Sequence, residues 1–257
     1  MAALLAGCTA APAPPPLRPD TADVAPRVAY APLAAVLAEG LDGDGNLRRD
    51  RAPRIGEPLA RQLALLAVTG PTATPALLTS DAERLAYWYN ARAAWAIRLA
   101  LEADLPAEAD TAALSRRRFL LDGRLMTLDG IDRAIVAAGD WRAVVAAPGL
   151  CLGHARLPAA PLDPASMQEH IARRFEGFVD DARRFQINVR RREVRVPQIV
   201  WRCRADIVAW YCQRYGQCKV TLLSALLPHV SGSAHRRLQS AVGYDIVPAK
   251  PCRELAI

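Results

Sequence analysis

The sequence predicts a helix-rich α+β fold, organised as a single domain with a small antiparallel sheet or hairpins. Apolar residues recur at intervals of three and four along most of the chain, which is typical of helices that pack on a core. Short apolar stretches around turn residues predict a little sheet. Apolar residues make up 52% of the 257 positions and charged residues 23%, which is a globular balance. We therefore expect a leader and linker over residues 1–29 and one globular domain over residues 30–257.

The leader contains LAGC at Leu5 to Cys8, which looks like a bacterial lipoprotein attachment site. The Pro-rich stretch after it is typical of an extended tether. A secretory signal needs a basic start and a longer apolar stretch, so either the true start lies upstream of Met1 or LAGC is a coincidence in an Ala-rich terminus. With an upstream start, lipid on Cys8 would hold the protein to a membrane surface, facing the periplasm. Otherwise we expect a cytoplasmic protein.

Three helices are predicted in the first hundred residues. Pro32 suits the first turn of a helix that stops at Gly40, and a second helix spans about 58–68. Ser80 and Glu83 form the pattern of a capping box, and the helix that follows runs to about Glu102. Its apolar positions fall on one stripe, namely Leu85, Trp88, Ala91, Trp95 and Leu99.

The remaining elements alternate between helices and short strands. Asp122-Gly123 suits the left-handed angles of a two-residue hairpin between two apolar stretches. Thr127 caps the next helix, and Asp163-Pro164 opens another. Residues 187–200 predict short strands around the turn Arg190 to Glu193. Helices at about 204–215, 221–227 and 234–241 complete the pattern.

Charge and composition limit the partners. The net charge of +7 arises from dispersed arginines among 26 acids, so nothing indicates a specific nucleic-acid partner. Arg190 to Arg192 and Arg195 could meet phosphate or lipid headgroups, although a solvated hairpin turn explains them as simply. No uncharged run reaches the roughly 20 residues that a spanning helix needs.

We expect no metal and no cofactor. Asp42 to Asn46 resembles the first half of a calcium loop, but Leu47 and Pro53 stand where the loop needs glycine and a bidentate glutamate. A polar turn explains the segment better. Three cysteines lack the close spacing of structural zinc sites, namely Cys203, Cys212 and Cys218.

The cysteine count leaves the redox state open. If Cys8 carries lipid, five cysteines remain, so at least one thiol stays unpaired within the chain or pairs between chains. One or two disulfides are plausible in an oxidising compartment, and the spacing does not give their pairing. The alternative is five reduced, buried cysteines that pack as small apolar residues.

Cys151 and His154 are the candidate catalytic residues. They lie three apart in PGLCLGHARLP, and a nearby imidazole can convert a thiol into a nucleophilic thiolate. His170, His229 and His235 could equally serve as the base. The competing interpretation is a packed cysteine beside a solvated histidine.

Several segments together resemble the bacterial domain of unknown function 547 family, over about Tyr30 to Asp245. LAYWYNARAAWAI resembles the family's A-[FW]-W-x-N-x-Y-N segment, with Trp88 and Asn90 retained. MTLDGIDRAIV resembles a helix start of the family, and VPQIVWRCRAD resembles its strand-to-helix segment. Two further pairs of family positions, which we expect to be structural, are Trp201 with Asp206 and Tyr244 with Asp245.

The chain also departs from this family. Members usually carry R-[IV]-H-[FW]-A-L-x-C-[AG]-S-x-x-C-P-x-L, and the corresponding stretch here is RAVVAAPGLCLGHARL. In that register Val144 stands at the family's His, Gly149 at its first Cys and His154 at its second. The resemblance therefore implies a divergent member with a noncatalytic binding or structural role in the envelope. The alternative is a Cys-dependent hydrolase or transferase that uses Cys151 and a histidine.

Overall fold

A computed structural model describes residues 13–104, 110–138, 141–149, 151, 153–216 and 219–250 of the chain. Within these ranges eleven α-helices accompany two small sheets, which confirms the helix-rich α+β class. The helices are α1 Ala31–Gly40, α2 Ala52–Val68, α3 Asp81–Glu102, α4 Thr111–Arg116, α5 Leu128–Ala137, α6 Trp141–Ala146, α7 Met167–Asp180, α8 Gln198–Arg202, α9 Arg204–Tyr215, α10 Leu222–Leu226 and α11 Gly232–Gln239. The strands are β1 Phe119–Leu121, β2 Arg124–Met126, β3 Gln186–Asn188, β4 Glu193–Val196 and β5 Asp245–Pro248.

Helix α3 is the centre of the core. Its predicted capping box is present, because Ser80 accepts the Glu83 amide and the Glu83 carboxylate accepts the Ser80 amide. The helix is buried on nearly every side from Leu85 to Ala100, well beyond the single stripe that its spacing predicts. Neighbouring elements therefore surround α3, and any polar side chain on it needs a partner inside the protein.

The predicted β1–β2 hairpin turns at Asp122 and Gly123, whose φ angles are +54° and +70°. The carboxylate of Asp122 is buried and accepts the backbone amides of Thr72 and Ala73, at 2.8 and 2.7 Å. This turn therefore also fixes the loop that leads from α2 towards α3.

The second sheet departs from the prediction. β3 and β4 form the expected antiparallel hairpin, but β5 lies parallel to β4 and was not predicted, so this sheet is mixed. Residues 198–200, which we expected to be strand, belong to α8. β4 ends before Pro197, which cannot donate to a strand ladder and suits the start of a helix.

Two other boundaries differ from expectation. Helix α2 begins at Ala52 because Pro53 fits its first turn, and Pro58, the predicted start, lies inside the helix. In the predicted linker, Leu17 pairs with Phe119 at the edge of β1, and the Arg27 amide donates to Thr69 Oγ1. Part of the tether-like segment thus packs against the domain.

Candidate functional site

Cys151 and His154 line the same cleft. Its other walls come from α3, α4 and the first residue of α5, and its cavity volume is about 40 Å³. A water molecule needs roughly 10–15 Å³ by this measure, so the cavity has room for a group of a few heavy atoms. The remaining lining residues are Arg92, Ala96, Leu99, Ala100, Thr111, Leu114, Ser115, Leu128 and Gly149.

Helix α3 supplies one wall of the cleft. Arg92, Ala96, Leu99 and Ala100 recur at helical spacing and share one face. Ala96 and Ala100 have small side chains, which leave room for the cavity beside the helix. The wall is therefore apolar apart from the guanidinium of Arg92.

The opposite wall comes from the 148–155 loop, of which the structure describes residues 148, 149, 151 and 153–155, and backbone hydrogen bonds between these residues close it. The Gly149 amide donates to the Ala155 carbonyl at 2.9 Å, and the His154 amide donates to the Cys151 carbonyl at 2.8 Å. A Cβ on Gly149 would lie 2.8 Å from the Cβ of His154 and 3.0 Å from Nη1 of Arg92. Glycine is therefore required here by close approach, which brings His154 and Arg92 to the same point of the cleft.

Arg92 connects this loop to the core. Its side chain is 2% exposed, and its Nε donates to Asp132 Oδ1 at 2.6 Å. Its Nη1 donates to the carbonyl of Pro148, at the start of the loop. Asp132 also faces Arg202 at 3.5 Å, and Arg202 pairs with Asp129 at 2.9 Å. Arg92, Arg202, Asp129 and Asp132 therefore form a network whose charges balance, and Arg92 is its member in the cleft lining.

The thiol of Cys151 is buried, with 8% of the residue exposed. Its Sγ accepts the backbone N–H of Gly153 at 3.3 Å. This backbone donor fixes the position of the sulfur in the cleft.

The imidazole of His154 is held in its neutral form. Desolvation lowers its pKa well below the usual range, and the positive charges of Arg92, Arg202 and Arg184 lower it further. His154 keeps some exposed surface, and its Cβ and Cγ lie close to Gly149. The neutral imidazole can donate and accept hydrogen bonds without adding charge to the cleft, whereas its lowered pKa disfavours protonation.

Sequence reasoning missed the Arg92–Asp132 pair. Each of its members interrupts an otherwise apolar buried face, Arg92 on α3 and Asp132 on α5. Two opposite charges at such positions are a usable signal, since a buried charge needs a partner. In the family resemblance, Arg92 stands at the Tyr of A-[FW]-W-x-N-x-Y-N, and the motif assigns it no charge partner.

The predicted family positions on α3 have structural roles. Trp88 is 5% exposed in the core. Asn90 holds the backbone of Leu162 in both directions, donating to its carbonyl at 3.1 Å and accepting its amide at 2.8 Å. Asn90 therefore positions the backbone at Leu162, and both residues lie outside the cleft lining.

The other family positions lie away from the cleft lining. Trp201 is covered by the guanidinium of Arg204, 4.4 Å from the ring centroid. Asp206 and Asp245 are exposed, at the start of α9 and of β5. Tyr244 packs against the core. Cys8 lies outside the described residues, so its predicted lipidation stays a prediction.

The segment that resembles a calcium loop is a polar turn. Asp42 Oδ1 accepts the amides of Asp44 and Asn46, both at 2.9 Å, and Arg156 donates to the carbonyl of Asp44 at 2.6 Å. The carboxylate is thus used by its own loop. Across the part of the chain that the structure describes, no cluster of three His, Cys, Asp or Glu side chains could hold a metal ion.

Cys203 lies between α8 and α9, and Cys212 lies on α9. Cys203 is a buried free thiol, and burial followed by the nearby Asp206 raises its pKa to about 12. Cys218 and Cys252 lie outside the described residues. Disulfide pairing therefore stays open, while Cys203 behaves as a small apolar residue.

A scan against protein-family models found no matching family, and searches of curated proteins and of solved structures found no match. Membership in the domain of unknown function 547 family therefore stays a prediction that rests on the segments quoted for it. Among the helices of the described ranges, none is both long enough and apolar enough to cross a bilayer.

Proposed function

We propose that this chain is a noncatalytic, envelope-associated binding protein whose cleft between α3, α4, α5 and the loop 148–155 holds a small uncharged ligand. The observation that carries the proposal is the cleft itself, with apolar walls and a few polar groups that converge at Arg92, Cys151 and His154. Binding sites commonly combine apolar walls with a small number of fixed polar groups.

The charges around the cleft favour an uncharged ligand. The guanidinium of Arg92 is matched by Asp132 and already donates to Asp132 and to the Pro148 carbonyl. The neutral imidazole of His154 adds no charge. Transferring an ion into such a site costs far more than transferring an amide or a hydroxyl. The volume of about 40 Å³ further limits the buried part of the ligand to a few heavy atoms.

A titration followed by ¹H–¹⁵N NMR tests this site. The probes are butyramide, butyrate and butylammonium, which share a chain length and differ in charge. We expect butyramide to shift the amide signals of Gly149 and Gly153 more strongly than either ion does. Tighter binding of butyrate would contradict an uncharged ligand, and unmoved signals with all three probes would contradict a binding cleft.

A pair of Ala→Leu variants of α3, one in the cleft lining and one outside it, tests whether the shifts come from the cleft. Ala96→Leu places extra atoms in the cavity and should abolish the butyramide shifts, whereas Ala82→Leu, in the first turn of the same helix and outside the lining, should preserve them. Equal loss in both variants would mean that the shifts arise from a general change in α3.

The envelope location rests on LAGC and is tested separately. Cells that express the complete reading frame should incorporate labelled palmitate into this protein, and Cys8→Ala should abolish the label. Stop codons immediately upstream of Met1 together with an unlabelled protein would contradict the location and leave the cleft proposal intact.

Cys-dependent hydrolysis or transfer is the second candidate, favoured by the shared cleft of Cys151 and His154. In such a step the thiol proton moves to the neutral imidazole, and sulfur bonds to an acyl carbon. The bond to the leaving group then breaks, and the leaving group takes the proton from the imidazole. Water or an acceptor next attacks the acyl carbon and gives its proton to the imidazole, and the carbon–sulfur bond breaks as the sulfur takes that proton. Against this candidate, Val144 and Gly149 stand where the family resemblance places a His and a Cys.

Alkylation by iodoacetamide near neutral pH distinguishes the two candidates. A noncatalytic protein should alkylate at Cys151 no faster than an ordinary exposed thiol, and Cys203 provides an internal reference for a buried, unreactive thiol. Faster alkylation of Cys151 that is lost in His154→Gln would favour the hydrolase. A covalent adduct of Cys151 with an acyl substrate mimic would contradict the noncatalytic role.

A further inference from the structure

The tip of the β3–β4 hairpin is an exposed turn of four residues, Val189 to Arg192. Its conformation is defined by hydrogen bonds, since the Arg192 amide donates to the Val189 carbonyl at 3.3 Å and the Arg191 amide to Asn188 Oδ1 at 3.0 Å. Arg192 closes the turn with φ +52° and lies over the ring of Tyr244, 5.1 Å from its centroid. The turn therefore presents its side chains in a fixed arrangement.

The hairpin tip combines an exposed apolar side chain with exposed arginines. Val189 is 69% exposed, more than any other large apolar residue within the described ranges. Arg190 and Arg191 follow it directly and are exposed, and the structure shows no carboxylate of the described residues within ion-pair distance of either. An exposed apolar side chain next to cations without nearby carboxylates suits the surface of an anionic membrane. There the apolar side chain can contact acyl chains while the cations contact lipid phosphates.

Acidic residues lie at the base of the turn and reduce its charge. Glu193 pairs with Arg195 at 3.0 Å, and Asp245 stands beside Glu193 in the register of β4 and β5. Arg190 and Arg191, together with Arg192 and Arg195, still leave an excess of two positive charges at this end of the sheet. Negative potential at the partner surface would therefore attract the tip.

We propose that this hairpin tip docks the protein onto an anionic lipid surface, with Val189 inserted at headgroup depth and Arg190 and Arg191 against the lipid phosphates. A nucleic acid would satisfy the arginines, but it offers no apolar phase for Val189, and sequence-independent nucleic-acid grooves usually add aromatic stacking platforms. The docking surface does not depend on the cleft or on lipidation of Cys8.

Vesicle flotation of the unlipidated full chain tests the proposal. The vesicles are phosphatidylcholine alone or phosphatidylcholine with about a third phosphatidylglycerol. Each basic residue near an anionic surface contributes about fivefold to partitioning, so Arg190→Ala/Arg191→Ala should weaken binding to the anionic vesicles about 25-fold. Raising the salt concentration should also weaken the binding of the wild type to the anionic vesicles, because salt screens the attraction between the arginines and the lipid phosphates.

The control variant removes the same charge elsewhere. Arg54→Ala/Arg61→Ala changes two exposed arginines of α2 and should retain nearly all of the binding. Val189→Ser should weaken binding severalfold without changing the net charge. All variants lie at exposed positions, and their circular dichroism should match that of the wild type.

Three results would overturn the proposal. The first is equal binding to neutral and anionic vesicles, and the second is equal loss in the hairpin and α2 variants. The third is a wild-type protein that does not bind the anionic vesicles but binds a single-stranded oligonucleotide, and that loses this oligonucleotide binding in the hairpin variant.

Discussion

Removing Asp132 should destabilise the protein strongly, because Arg92 would then be a buried cation without its counter-ion. The two side chains are 2% and 9% exposed, and they meet at 2.6 Å and 3.5 Å. After Asp132→Ala, the one remaining acceptor described for the Arg92 guanidinium is the Pro148 carbonyl. Breaking a buried pair by removing one partner typically costs about 3–5 kcal/mol, and we expect a loss of free energy of unfolding in that range.

Two further variants separate the buried pair from the surface part of the network. Asp129 pairs with the half-exposed Arg202, so Asp129→Ala should cost less than about 1 kcal/mol. Arg92→Met/Asp132→Leu removes both buried charges and should recover most of the loss, because replacing a buried pair by apolar groups is often near neutral.

Urea unfolding followed by circular dichroism measures all these variants. A loss below about 1 kcal/mol for Asp132→Ala would refute the reasoning, as would a double variant that is no more stable than the single one. If Asp132→Ala fails to fold, a folded double variant still demonstrates that the uncompensated charge is the cause.

Three other predictions concern stability and use the same urea assay. Ser80→Ala removes the capping box of α3 and should cost about 1 kcal/mol. Gly70→Ala should lower the free energy of unfolding by more than Ser80→Ala does, because its Cβ would lie 2.7 Å from the Cβ of Asp122. Gly56→Ala is the contrasting change. Its Cβ meets open space in a helix, so it should stabilise the protein by about 0.5–1 kcal/mol. Burial and neighbouring arginines lower the pKa of His170 from 6.5 to about 4, so the unfolded chain takes up the proton first and stability falls as the pH drops through that interval. His170→Gln should reduce the difference between unfolding midpoints at about pH 7 and about pH 5; an unchanged difference would contradict this assignment.

Local signals predicted the elements that local chemistry determines. The capping box at Ser80 and the turn at Asp122-Gly123 depend on residues within a few positions of each other, and both are present in the structure. The start of α2 was wrong because two prolines suit a first-turn position. In the structure the helix starts at the earlier one, and the added turn buries Ile55.

Long-range contacts explain what the sequence could not predict. β5 is a short, partly exposed strand whose partner is β4, 52 residues earlier in the pairing of Glu193 with Asp245, so its own composition carries little information. The cleft has the same origin. Cys151 and His154 were visible as a pair, but the wall opposite them comes from α3 and α4, and no spacing rule links these segments.

The Arg92–Asp132 pair accounts for how the cleft keeps its shape. A buried ion pair is weak evidence for stability, and an apolar pair at these positions could support the core equally well. Arg92, however, both neutralises Asp132 and donates to the Pro148 carbonyl, whereas an apolar side chain at this position would do neither. That second bond fixes the start of the loop whose other end carries His154, and Gly149 lets the loop approach the guanidinium. The buried charge of Arg92 is therefore better explained by its role in positioning the loop than by a contribution to the stability of the fold. The cleft should consequently be more sensitive than the core to substitutions at Arg92.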